Sequence, residues 1–314
     1  MKTTTALLLG IRGAGHSFRG VICAGAVLLI SSSAQAQNLF VSGDLGLSGT
    51  ITEITTGGVQ TTVTSEVYGP FGVAFNSAGD LFEADELTST INEFTPGGVQ
   101  TTFASELNYP AAIAFNSAGD LFVSEEGDGE ITEITPGGAR SIFAEGLSSG
   151  PDGLAFNIAG DLFVADAGSG NIHEFTPGGA QSIFASGLND PYGLAFNTAG
   201  DLFEADEGSG NIYEFTPSGV QSTFASGLGN PIGLAFNSAG DLFVADDNGG
   251  NIYEFTPGGV ESTFASSLNY APAGLAFQGV TLPVPEPPAF GLLAVGMFGI
   301  ALLRRRQRYS QLAC

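Results

Sequence analysis

With 314 residues, 43% of them hydrophobic, 47 Gly and 15 Pro, the chain is long and apolar enough to fold and too rich in turn residues for a helical bundle. Its formal charge is −24, from 8 Lys and Arg against 32 Asp and Glu. All the acids lie between Asp44 and Glu286, where Arg140 is the single basic residue; that stretch carries −31, which excludes binding to nucleic-acid phosphates.

The N-terminus reads as a secretory signal. Lys2, Arg12 and Arg19 precede the apolar run VICAGAVLLI (21–30), and Ala34-Gln35-Ala36 supplies the small-x-small pattern of a cleavage site. Cleavage is expected after Ala36, which makes residues 1–36 a signal peptide, and the apolar run is too short to span a bilayer. Cys23 and Cys314 both lie in the terminal segments, so the region between them needs no disulfide.

From residue 37 onward one unit repeats. A first apolar strand reads GVAF (72–75), AIAF (112–115) and GLAF (153–156, 193–196, 233–236 and 274–277), with phenylalanines 40 or 41 residues apart. A second strand, LFV or LFE, is centred on Phe40, Phe82, Phe122, Phe163, Phe203 and Phe243. A third carries Glu53, Glu93, Glu133, Glu174, Glu214 and Glu254, and a fourth is centred on Val63, Phe103, Phe143, Phe184, Phe224 and Phe264. Turn signals separate them: N-S-A-G-D, then G-S-G-N, then T-P-G-G.

Four short strands in about 40 residues make a β-propeller blade, and each strand type occurs six times. The two ends are complementary. The chain enters on a second-type strand, NLFV (38–41), and leaves on a lone first-type strand, GLAF (274–277). Pairing them completes a sixth blade and leaves no open sheet edge between last and first. The expected fold is therefore all-β: a six-bladed propeller over residues 37–278, closed by its N-terminal strands on its C-terminal strand.

The unit PYGLAFNTAGDLFEADEGSGNIYEFTPSG (191–219) resembles an NHL repeat, and the likeness extends to the six-bladed SMP-30/gluconolactonase and streptogramin lyase propellers. Where NHL repeats often carry Arg before the third-strand Ile, this chain has Asn171, Asn211, Asn251, Thr90 and Glu130, which removes a basic contact for RNA or protein. The resemblance to the lactonases implies a channel metal held by Asn or Asp at the residue after the first-strand Pro. The matching positions are Phe71, Ala111, Asp152, Tyr192, Ile232 and Ala273, of which only Asp152 can ligate. The lyases imply a His base, and the single His after residue 36, His173, sits on a third-type strand away from the channel. The residues therefore favour a binding or structural module over a lactonase- or lyase-like enzyme.

An acidic column closes the second strands: Asp85, Glu125, Asp166, Asp206 and Asp246, with Gly43 in the sixth blade. Two readings are open. Each carboxylate caps its own turn by accepting backbone N–H bonds, or the column forms a rim for a divalent cation, Ca²⁺ in the first instance.

After a linker (279–288) containing Pro285-Glu286-Pro287 comes a hydrophobic helix (289–303), about 22 Å long, and a basic tail (304–314) opened by Arg304, Arg305 and Arg306. This order resembles the PEP-CTERM sorting signal of Gram-negative bacteria. The resemblance implies recognition by an exosortase, transient anchoring in the membrane through the helix, processing of the tail, and delivery to the cell surface or extracellular matrix. The expected partners there are extracellular polysaccharide or surface proteins.

Overall fold

The computed structural model describes residues 37–279 except 45, 47 and 149. The expected signal peptide, the Pro-Glu-Pro motif, the hydrophobic helix and the basic tail lie outside the described residues. Within the described residues the chain forms six four-stranded antiparallel sheets.

The strands follow the repeat. β1 (Leu39–Asp44), β2 (Gly49–Ile54) and β3 (Gln60–Val67) come first, then the sheet of β4 (Pro70–Phe75), β5 (Leu81–Asp85), β6 (Thr90–Phe94) and β7 (Gln100–Ala104). Next are β8 (Pro110–Phe115), β9 (Leu121–Glu125), β10 (Glu130–Ile134) and β11 (Arg140–Ala144), followed by β12 (Pro151–Phe156), β13 (Leu162–Asp166), β14 (Asn171–Phe175) and β15 (Gln181–Ser186). The last complete sheets are β16 (Pro191–Phe196) to β19 (Gln221–Ser226), with β17 (Leu202–Asp206) and β18 (Asn211–Phe215), and β20 (Pro231–Phe236) to β23 (Glu261–Ala265), with β21 (Leu242–Asp246) and β22 (Asn251–Phe255). β24 (Ala271–Phe277) then pairs antiparallel with β1, placing Leu39 opposite Phe277 and Val41 opposite Leu275. The closing blade has the order β24-β1-β2-β3, as the complementary ends require. The first-type strands begin at the Pro of each repeat, two residues before the apolar quartet, except that β24 begins at Ala271, just before Pro272.

Burial within a blade grades outward and explains the composition of each strand. The second strands β5, β9, β13, β17 and β21 are buried at every residue, because a neighbouring blade covers each face. The fourth strands β3, β7, β11, β15, β19 and β23 expose their first three residues, which are mainly Thr, Ser and Gln. The seams between blades are made by phenylalanine. Phe163 meets Phe184 of its own fourth strand and Phe196 of the next inner strand, each edge-on at 5.0 Å. The same trio recurs at Phe82, Phe122, Phe203 and Phe243, the last reaching Phe277 across the closing seam at 4.9 Å. At Phe40, Val63 replaces the fourth-strand Phe and only the contact with Phe75 remains. Such edge-to-face pairs are worth about 0.5–1.5 kcal/mol each beyond the area they bury.

The inner strands β4, β8, β12, β16, β20 and β24 follow one another around the axis. Their glycines permit that approach: a Cβ built on Gly153 overlaps the carbonyl oxygen of Tyr192, and one on Gly193 overlaps that of Ile232. The x-Gly-Leu-Ala-Phe pattern is thus a packing requirement of the ring as well as a strand signal.

Candidate functional site

The turns that follow the second strands and the loops that enter the inner strands meet on one face, hereafter the top. The acidic column lies at this level, and its members are buried: Asp85 is 1% exposed, Glu125 7%, Asp166 1%, Asp206 1% and Asp246 3%. Each carboxylate holds backbone. Asp206 Oδ2 accepts the N–H of Asn189, in the loop entering the blade, at 2.8 Å, and its Oδ1 accepts that of Ser209, in the turn, at 3.1 Å. Asp85 binds Tyr68 N–H and Thr88 N–H in the same way, and Asp166 binds Ser148 and Ser169. Glu125 accepts from Asn108 N–H and from the Thr132 hydroxyl, and Asp246 accepts from both Gly229 and Asn230. The column therefore ties each incoming loop to its own blade. Among the described residues, no three His, Cys, Asp or Glu side chains are grouped to hold a metal ion.

His173, 8% exposed on β14, lies 3.4 Å from Asp166 by Nε2 and bonds Gln181 by Nδ1. Burial pushes the Asp166 carboxyl up, but the hydrogen bonds from His173, Ser169 and Ser148 outweigh it and hold the group below its ordinary value. The histidine belongs to a blade interior, away from the axis.

At the channel mouth, five of the six residues after the inner-strand prolines, Phe71, Asp152, Tyr192, Ile232 and Ala273, come together. Phe71 and Tyr192, from blades on opposite sides of the ring, meet with ring centroids 6.2 Å apart and planes tilted by 48°. Beneath them a channel cavity of about 100 Å³ is lined by Val73, Ile113, Leu154, Leu194, Leu234 and Leu275. Beside Tyr192 a second cavity, about 300 Å³, is walled by Glu126, Asp152 and Asp190 along with Gly150, Ala167 and Gly168. Asp152 is 6% exposed. Burial, then the hydrogen bond and charge of Glu126, push its carboxyl up to about 9. Burial and the carboxylates of Asp152, Glu207, Glu126 and Asp190 likewise push the Tyr192 phenol upward. Chemically, this is an acceptor-rich pocket with one aromatic wall.

Two buried acids escaped the sequence reading. Glu83 and Glu204 are 0% exposed in the middle of β5 and β17. Asn92 donates to Glu83 Oε2 at 2.9 Å, while Glu83 Oε1 and both oxygens of Glu204 have no partner among the described residues. Burial, with the charge of Asp85 or Asp206 beyond, raises their carboxyls to about 8 and about 9. The signal was present: the same position holds Val41, Val123, Val164 and Val244 in the other blades.

The fold defines the class: the described chain is a six-bladed β-propeller of four-stranded blades. No family model matches it and no curated protein matches it. Solved structures do. A chain from a nidogen/laminin complex is 20% identical with a TM-score of 0.70, covering 77% of this chain and 98% of that one. A catalytically inactive virginiamycin B lyase from Staphylococcus aureus with quinupristin is 16% identical at TM-score 0.59, covering 77% and 89%. A putative gluconolactonase is 15% identical at TM-score 0.58, covering 76% and 92%. At these identities the likeness is one of fold, shared by binding modules and enzymes alike.

Proposed function

We propose that the chain is a non-enzymatic binding module, exported and sorted to the cell surface or extracellular matrix, whose top channel mouth faces its ligand. The observation that carries this reading is the Phe71–Tyr192 pair across the mouth. Five of the six residues after the inner-strand prolines are apolar or aromatic, with Asp152 the exception, and this suits contact with a ligand better than ligation of a catalytic metal. The similar chain from the nidogen/laminin complex supports a propeller in an assembly. Export rests on the segment ending at Ala36, and sorting by an exosortase rests on Pro285-Glu286-Pro287 and the arginines from 304 to 306.

The test is retention of the producing strain's exopolysaccharide and surface proteins by the purified protein, with Phe71→Ala and Tyr192→Ala in parallel. The expected result is specific retention that both substitutions reduce. Lactone hydrolysis that is lost in Asp152→Asn, with no retained partner, would replace the binding reading by the enzymatic one. For sorting, Glu286→Ala should leave a full-length, membrane-held protein. A released wild-type species still ending at Cys314 would overturn the sorting reading.

A further inference from the structure

Resting on the binding reading above, we infer that the top mouth takes a basic side chain from a partner protein, seated against Tyr192 with its ammonium or guanidinium group on Asp152 and Glu126. Three observations carry this. Asp152 is nine-tenths buried and lines the cavity, and the side chain hydrogen-bonded to its carboxyl there is another acid, Glu126. The one Lys or Arg among the described residues, Arg140, sits on the outer strand β11 and donates to the Ser105 carbonyl, so no Lys or Arg among them serves this pocket. Tyr192 lines the same cavity, and an aromatic ring beside carboxyl groups attracts a cation on an apolar stem.

The top face also carries exposed apolar side chains on which the partner's neighbouring residues lie. Tyr68, Leu87 and Tyr109 are 49%, 52% and 51% exposed. Leu87 stands where the other complete blades have Gly127, Gly168, Gly208 and Asn248. Tyr109 adopts a left-handed φ of 52°, uncommon for an aromatic residue, where two other blades use glycine. The Tyr109 carbonyl accepts the N–H of Glu126 at 3.1 Å, which sets Tyr109 next to the Glu126 wall of the cavity, and that of Tyr68 accepts the N–H of Leu87 at 3.2 Å at the corresponding place one blade earlier. Exposed apolar side chains beside a carboxyl-lined cavity match a basic protein segment, and the net charge repels nucleic acid and anionic lipid.

The probe is a labelled, end-capped peptide with one arginine flanked by leucines, compared with its citrulline counterpart by fluorescence anisotropy. The salt is about 0.5 M NaCl, where exposed charges are screened. The arginine peptide is expected to bind at least about tenfold tighter than the citrulline peptide. Asp152→Asn should abolish that ratio, as should the more exposed variant Glu126→Gln. Tyr109→Ala should weaken both peptides and leave the ratio intact, whereas Asp241→Asn, on the opposite face, should change neither. Equal binding of the two peptides, or equal losses in Asp152→Asn and Asp241→Asn, overturns the inference. Binding of a neutral or amino-sugar oligomer at the mouth without the arginine preference also overturns it while leaving the binding-module reading in place. Lactone turnover with no ligand retained removes both.

Discussion

Glu204 gives the sharpest test of the packing argument. It shares a face of β17 with Leu202, toward the cluster of Leu194, Phe163 and Ala165 that seals one seam, and its carboxyl has no hydrogen-bond partner among the described residues. An acid whose folded pKa is raised gives full stability below the unfolded value and loses it as pH rises. Between its ordinary 4.5 and about 9, the folded state binds a proton that the unfolded state has released. Stability therefore falls by about 1.4 kcal/mol per pH unit across that window, a loss of roughly 3 kcal/mol by pH 7. The partnerless neutral acid costs about 1–3 kcal/mol more at any pH. Glu204→Val, the residue found in four other blades, should remove both terms. Thermal unfolding should show a gain of roughly 6–12 °C at pH 7 from the titrating term alone. The gain over wild type should shrink toward pH 5 and widen toward pH 9. Glu204→Gln should remove the pH-dependent part and keep the rest. A Val variant no more stable than wild type, or a gain that does not change between pH 5 and 9, would refute the reasoning.

Two further perturbations follow from the closed ring and its ties. Asp206→Ala orphans the N–H groups of Asn189 and Ser209 and should cost about 2–4 kcal/mol in denaturant unfolding, whereas Asp206→Asn, with one acceptor oxygen left, should cost about half; equal costs would show that the ties are not what the carboxylate contributes. Deleting Asn38–Val41 removes the strand that joins β24 to β2, and size-exclusion chromatography should show aggregation through the exposed edges, while a monomer of unchanged melting temperature would contradict the closure.

The blade number and the closure were legible because each strand type recurs at a fixed spacing and the two chain ends carry complementary strands. The acidic column was half legible. An Asp before a Gly-rich turn reads as a cap, but its second partner, the loop arriving from the preceding blade, is a tertiary contact that no local pattern encodes. Phe71 and Tyr192 lie on opposite blades, so their meeting depends on how tightly the six inner strands close, and the glycines fix that by admitting a neighbour's carbonyl. Glu83 and Glu204 had a visible signal, since period-2 alternation places them on the buried face with Leu81 and Leu202. A strand covered on both faces does not display that alternation as apolar against polar, so the exception was easy to pass over.

The closing blade departs from the repeat in a way that makes a coupled prediction. Gly43 occupies the place of the column carboxylates, and the segment before β24 is, like that before β12, one residue longer than in the other four blades, with Tyr270-Ala271 preceding Pro272. The Tyr270 ring, 7% exposed, fills the space above Gly43: a Cβ built there overlaps the ring. Tyr270 thus replaces a hydrogen-bonded tie with an apolar one and belongs to the cluster formed by Leu39, Val41 and Phe277 at the ring's seam. Tyr270→Ala should cost about 3–5 kcal/mol through lost burial and the cavity left behind. Gly43→Ala forces the ring out and should cost about 1–3 kcal/mol by overpacking. In the double variant the added methyl enters the vacated space, so the combined loss should be smaller than the two single losses taken together by at least about 1 kcal/mol. Strict additivity in urea unfolding would mean that the ring does not rest on Gly43, and the closing seam would then owe its stability to the β1–β24 pairing alone.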